Sequence, residues 1–191
     1  MTILSDFEIH MLCTEQGMIA PYEPALVREQ DGLKVISYGL SSYGYDMRVA
    51  DEFLIFSNAA CSLVDPKDID PKAFVRVKNH AVVIPANSFA LAYSIERFKI
   101  PNDVLALVIG KSTYARCGIV VNCTPMEPGW EGHLTIEISN TTPVPVKVYA
   151  DEGIAQAVFH RGQPCKQTYA NRGGKPAKYQ NQGPEVTLPR M

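Results

Sequence analysis

The chain has 191 residues, enough for one domain with a real core, and length alone does not require two. Its 18 Lys and Arg against 20 Asp and Glu leave a net charge of −2, so no basic surface advertises a nucleic-acid polymer, although a local positive pocket for a small phosphorylated ligand stays open. No apolar run approaches the 18 or more residues of a membrane span, and "MTILSDFEIH" lacks the basic start and apolar core of a signal peptide, so the expectation is a soluble, cytoplasmic protein that spans no membrane.

In chain order, the first predicted element is a helix. Ser5 offers an N-cap and Glu8 stands three residues later, a capping box, with Ile3 and Leu4 placed to pack over the first turn and Gly17 placed to end the helix. Short β-rich runs follow: "FLIF" (53–56), "FVRV" (74–77), "AVVI" (81–84), "SFALAYS" (88–94), "VLALVIG" (104–110), "GIVVN" (118–122), "HLTIEIS" (133–139) and "VPVKVYA" (144–150). Prolines such as Pro66, Pro85, Pro101 and Pro128 punctuate them, which predicts an antiparallel sandwich or barrel with few helices. From Arg161 onward the composition turns polar, so 1–191 reads as one domain whose residues 161–191 form a mobile tail. The five cysteines are scattered, without a C-x-x-C pair, and read as reduced packing thiols.

Three stretches invite functional readings. In "GHLTIEISN" (132–140), Leu134, Ile136 and Ile138 alternate with Thr135 and Glu137, and strand geometry alone makes Glu137 a solvated carboxylate as readily as a reactive one. "GKSTYARCG" (110–118) follows an apolar strand and carries Ser112 as a helix N-cap; it reads as an ordinary capped turn or as an anion site, and it is not a P-loop. The tail residues "RGGK" (172–175), Lys178, Tyr179 and Gln182 suit a solvated segment or a lid over a charged ligand equally. The four histidines form no H-x-E, H-x-H or H-E-x-x-H pattern and "PCKQ" lacks a second cysteine, so protein-bound zinc is not expected. G-x-S-x-G is missing too, which leaves carboxylates, hydroxyls, arginine and water for any hydrolytic chemistry.

Taken in register, "SSYGYDMRV" (41–49), "GKSTYARCGIVVNCTPMEPGWEGHLTIEISN" (110–140), "EGIAQ" (152–156) and "TYANRGGKPAKYQNQG" (168–183) resemble dCTP deaminase, the metal-independent branch of the trimeric dUTPase superfamily. The resemblance implies a mainly β fold, a distorted antiparallel β-barrel, in homotrimers whose sites lie between subunits. It implies conversion of dCTP to dUTP and ammonia, with Mg2+ accompanying the triphosphate and no zinc. By the same resemblance Glu137 is the proton donor and acceptor, with Ser112 and Arg116 as its catalytic partners. Lys111, Ser112, Thr113, Tyr114, Ala115 and Arg116 match the nucleotide-binding loop. Thr135, Ile136 and Glu137 match the strand that reads the pyrimidine, and Gln156, Tyr169, Lys178 and Gln182 match further contacts.

Departures from the pattern qualify what carries over. Lys111 stands where some relatives carry Arg, exchanging a fork for a point charge. Glu127 stands where dUTPases carry a catalytic aspartate, and the tail lacks their glycine-serine-rich closing motif, which disfavours simple dUTPase activity. A dUTPase, a bifunctional deaminase-diphosphatase and a non-enzymatic trimer stay as rivals. Inhibition by dTTP is a habit of the family on which the residues themselves are silent.

Overall fold

The structure is a computed structural model that describes residues 2–59, 61–174 and 177–190. Its elements run β1 (Thr2–Ile3), α1 (Asp6–Gln16), β2 (Ile19–Ala20), β3 (Val27–Gln30), β4 (Leu33–Ser41), β5 (Gly44–Arg48), β6 (Glu52–Phe56), β7 (Phe74–Lys78) and β8 (Ala81–Ile84). They continue with β9 (Phe89–Lys99), β10 (Val104–Gly110), α2 (Ser112–Ala115), β11 (Ile119–Asn122), β12 (Glu131–Asn140), β13 (Val146–Tyr149) and β14 (Gly153–Arg161), with single 3-10 turns at Pro71–Ala73 and Tyr169–Gly174.

The capping box forms as its residue types require. Glu8 N–H donates to Ser5 Oγ over 3.4 Å, and Ser5 N–H donates to Glu8 Oε2 over 3.1 Å, which satisfies two amides that the first helical turn leaves free. Gly17 ends α1 in the left-handed region at φ 66°, where its amide reaches Cys13 O. Ile9, Leu12 and Cys13 form the buried face of the helix.

Two six-stranded antiparallel sheets carry the molecule. In one, β14 pairs with β1, β5 and β10, and β5 is extended by β4 and β3; in the other, the order is β11-β12-β9-β6-β7 with β2 added to β9. A separate ladder joins β13 to β8. The expected distorted barrel is thus an open one: the sheets share one core without closing into a ring of paired strands. That core takes Tyr45, Met47 and Phe159 from one sheet and Phe53, Phe98 and Ile136 from the other, all fully buried. A bridge at Val49↔Ser94 stitches the sheets together, and Ala106↔Met126 ties β10 to the connection between β11 and β12. A buried ion pair does so as well, Arg48 Nε to Glu96 Oε1 at 2.8 Å, with Glu96 wholly enclosed. Such a pair adds little net stability, but removing one partner leaves a charge stranded.

All eight sequence-predicted strands are present, several extended by a few residues. The sequence reading does not give β1 to β5 or β14: β1 and β2 are two residues each, β3 is short and polar, and glycine and polar residues interrupt the apolar pattern of β4, β5 and β14.

Candidate active site

The site begins with the alternation of β12. Leu134, Ile136 and Ile138 face the core at 6 % exposure or less, which turns Thr135 and Glu137 to the opposite side. That side is only partly open to water. It forms one wall of a cavity of about 750 Å³ bounded also by Phe74, Phe89, Leu91, Pro125, Tyr169 and Tyr179. Glu137 is only partly exposed, and its Oε2 is buried without a hydrogen-bond partner among the described residues. Burial pushes its carboxyl up to about 7, so near neutrality it exists in both protonation states. Cys123 lies beside it; burial, and then the Glu137 charge, push that thiol up to about 12, which keeps it protonated and inert.

The polar C-terminal segment roofs this cavity. Asn181 N–H donates to Glu131 O at 2.7 Å and His133 N–H to Gln182 O at 3.0 Å, so the segment runs alongside β12 through a parallel bridge, Gly132↔Gln182. Gly132 has φ +147°, and a Cβ there would stand 2.7 Å from Gln182 N; only glycine lets the segment come so close. Trp130 Nε1 donates to Tyr179 O at 2.8 Å, Tyr169 N–H donates to Pro128 O at 2.8 Å, and Arg172 pairs with Glu127. Val186 packs with Leu54 and Leu91 in a small apolar cluster. Residues 161–190 are therefore seated on the body where they are described, because backbone bonding and two or three apolar anchors replace the periodicity that the sequence lacks. Lys175, part of the "RGGK" stretch, lies outside the described residues.

The expected site residues fall into two groups. Thr135, Glu137, Tyr169 and Gln182 line the cavity together, and Thr135 Oγ1 donates to Gln182 Oε1 at 3.3 Å. Ile136 is wholly buried in the core, so only its backbone is available to a ligand. Lys111 to Arg116 and Gln156 do not line this cavity. Ser112, Thr113, Ala115 and Arg116 are exposed, and Arg116 Nη1 donates to Ser112 O at 3.0 Å. Tyr114 is buried and its hydroxyl accepts Tyr149 N–H. The N-cap of α2 is Lys111 and makes no side-chain cap bond, so Ser112 lies inside the turn rather than capping it. The extended backbone of Lys111, at ψ 138°, shifts the start by one residue. Gln156 Nε2 donates to Ser41 Oγ at 3.0 Å, and Lys178 is exposed beside Tyr179.

Tyr179 stands in the polar tail stretch that reads equally as a solvated segment or a lid, and the structure puts it on the cavity wall; Trp130 and Asp46 are not singled out by the sequence. All three lie inside stretches that carry the resemblance, but nothing in the spacing marks Trp130 as an anchor or Asp46 as a buried partner of Lys111. Among the described residues no group of three His, Cys, Asp or Glu side chains could hold a metal ion, and no helix is long and apolar enough to cross a membrane.

Comparison with known proteins identifies the family. The chain matches the dCTP deaminase-like family over residues 3–162. It is 55 % identical over 192 residues to the dCTP deaminase of Dechloromonas aromatica and 56 % identical over 191 residues to that of Cupriavidus metallidurans, each alignment covering 100 % of both chains. Its fold is similar to the crystal structure of 2′-deoxycytidine 5′-triphosphate deaminase from Agrobacterium tumefaciens, with a TM-score of 0.62 at 19 % identity over 84 % of this chain and 48 % of that one. With most of its length matched by the family and full-length relatives above half identity, the chain belongs to the dCTP deaminase-like family.

Proposed function

We propose that the protein hydrolyses dCTP to dUTP and ammonia, with Glu137 as the group that moves every proton. The observation that carries the reading is a carboxylate with an unpartnered oxygen, raised by burial to about 7, on the wall of a largely apolar cavity. The relatives named dCTP deaminase at 55 and 56 % identity support the substrate. The dUTP formed is a precursor for dUMP and dTTP synthesis, and the same reading places the enzyme in the cytoplasm.

In the first step ionised Glu137 takes a proton from water as the water oxygen bonds to C4 of cytosine, and delivers that proton to N3. In the second it takes the proton of the new C4 hydroxyl and gives it to the amine, so that the C4–N4 bond breaks, ammonia leaves and the uracil carbonyl forms. One carboxylate serves both directions because a value near the working pH balances uptake against release. Ser112 holds the water or the carboxylate, and Arg116 orients Glu137 and stabilises charge that grows during attack. Backbone groups near Thr135 accept from the exocyclic amine and discriminate cytosine from uracil, because an unpaired buried polar group penalises the wrong base.

Ser112 and Arg116 lie outside the cavity of their own chain. The reading therefore has the 111–116 loop of a neighbouring copy complete the site in a homotrimer, with Gln156, Tyr169, Lys178 and Gln182 adding nucleotide contacts. Mg2+ would accompany the triphosphate and would supply neutralisation of its charge, as suits a hard ion where no protein cage is built. Zinc has no part in the reading.

A dUTP diphosphatase is the second reading to separate. Incubation with dCTP and with dUTP, followed by measurement of ammonia and pyrophosphate, does so. The proposal expects ammonia from dCTP and no pyrophosphate from either; pyrophosphate from dUTP without ammonia from dCTP would contradict it.

A further inference from the structure

Lys111 opens the loop expected to bind the nucleotide, yet its side chain turns inward. Only 12 % of it is exposed, and its ammonium pairs with the carboxylate of Asp46, itself 8 % exposed. The backbone of Lys111 is fixed at both ends: its N–H donates to Ile154 O at 3.1 Å, and its carbonyl accepts Ala115 N–H at 3.0 Å. The next residues differ, since Ser112, Thr113 and Arg116 are exposed. Asp46 sits on β5 directly opposite Gln156 of β14, so one buried carboxylate adjoins two separate stretches that the family reading assigns to the nucleotide.

A buried ion pair adds little net stability, because desolvating both charges offsets their attraction; geometry is the better reason for keeping one here. Moving Lys111 onto a phosphate would leave Asp46 buried and unpaired, which is strongly unfavourable. We propose that Asp46 is a positioning residue that holds Lys111 against the sheet, and that Lys111 serves the nucleotide by fixing the loop bearing Ser112 and Arg116, not by a phosphate contact of its own. This rests on the deaminase reading.

The test is a double-mutant cycle on ammonia release from dCTP, with melting temperature and oligomer mass recorded for each protein. Lys111→Met is made in the native background and in Asp46→Asn. Each single substitution is expected to raise KM about tenfold or more while the folded assembly is retained, and the cost of Lys111→Met should shrink to about twofold or less once Asp46 is neutral. The same fold loss in both backgrounds, or an Asp46→Asn protein with unchanged KM, would overturn the inference.

If a single variant with its stranded charge does not fold, the doubly substituted protein, which buries no charge, decides. Its KM should rise with salt as steeply as that of the native protein, because no phosphate contact has been lost; a flatter salt dependence would assign Lys111 to a phosphate. Failure of the native protein to release ammonia from dCTP would instead count against the deaminase reading, so the two failures are distinguishable.

Discussion

Thr135 Oγ1 donates to Gln182 Oε1 over 3.3 Å, which joins the strand that carries Glu137 to the C-terminal segment that roofs the cavity. The bond reaches across 47 residues of sequence and ties the cavity wall to its cover.

Removal of residues 173–191 should therefore leave a folded protein with a damaged site. Among the described residues, the deleted stretch supplies Tyr179, Gln182, Thr187 and Pro189 to the cavity and only Val186 and Leu188 to a small apolar cluster. We expect the melting temperature to fall by a few degrees, as for the loss of about 1 to 2 kcal/mol, and KM for dCTP to rise about tenfold or more. Unchanged kinetics after truncation would remove the segment from the account.

Burial of Glu137 also predicts a pH dependence of stability. Its carboxyl stands at about 7 in the folded chain against 4.5 ordinarily, so between those values the folded state binds more protons than the unfolded one. Stability on this account is highest below about 4.5, falls as pH rises through the window, and stays reduced above 7. Glu137→Gln should therefore raise the melting temperature at pH 8, by an amount reflecting about 1 to 2 kcal/mol after allowance for solvent at a partly exposed carboxylate, and change it little at pH 5. Equal effects at both pH values, measured by calorimetry, would show that the Glu137 carboxyl is not raised in the folded chain.

Part of this site was legible in the residues and part was not. The capping box at Ser5 and Glu8 is local chemistry and was readable outright. The alternation of Leu134, Ile136 and Ile138 fixes which side of β12 Glu137 occupies, but not what stands over that side. The cover comes from Tyr179 and Gln182, more than 40 residues away in a stretch with no apolar period, and its seat depends on backbone bonds and a glycine at 132. Asp46 was hidden for a related reason: strands β5 and β14, which bring it to Lys111 and Gln156, are too broken by glycine and polar residues to be read as strands.

A shared site predicts complementation. Glu137→Gln and Arg116→Ala chains should each be nearly inactive alone. After unfolding, mixing in equal amounts and refolding, a site draws an intact Glu137 with probability one half and a neighbour's intact Arg116 with probability one half, so about a quarter of the sites regain both. Activity near a quarter of native supports contribution by two chains, and no recovery despite demonstrated mixing would place both residues in one.

The central claim, that Glu137 carries the protons of dCTP deamination, is tested most directly by ammonia release from dCTP in the native protein and in Glu137→Gln, with dCTP binding followed by calorimetry. The account predicts turnover by the native protein, a loss of about 10² to 10⁴-fold or more in the variant, and nearly unchanged dCTP affinity. A Glu137→Gln protein that turns over dCTP at close to the native rate would contradict it.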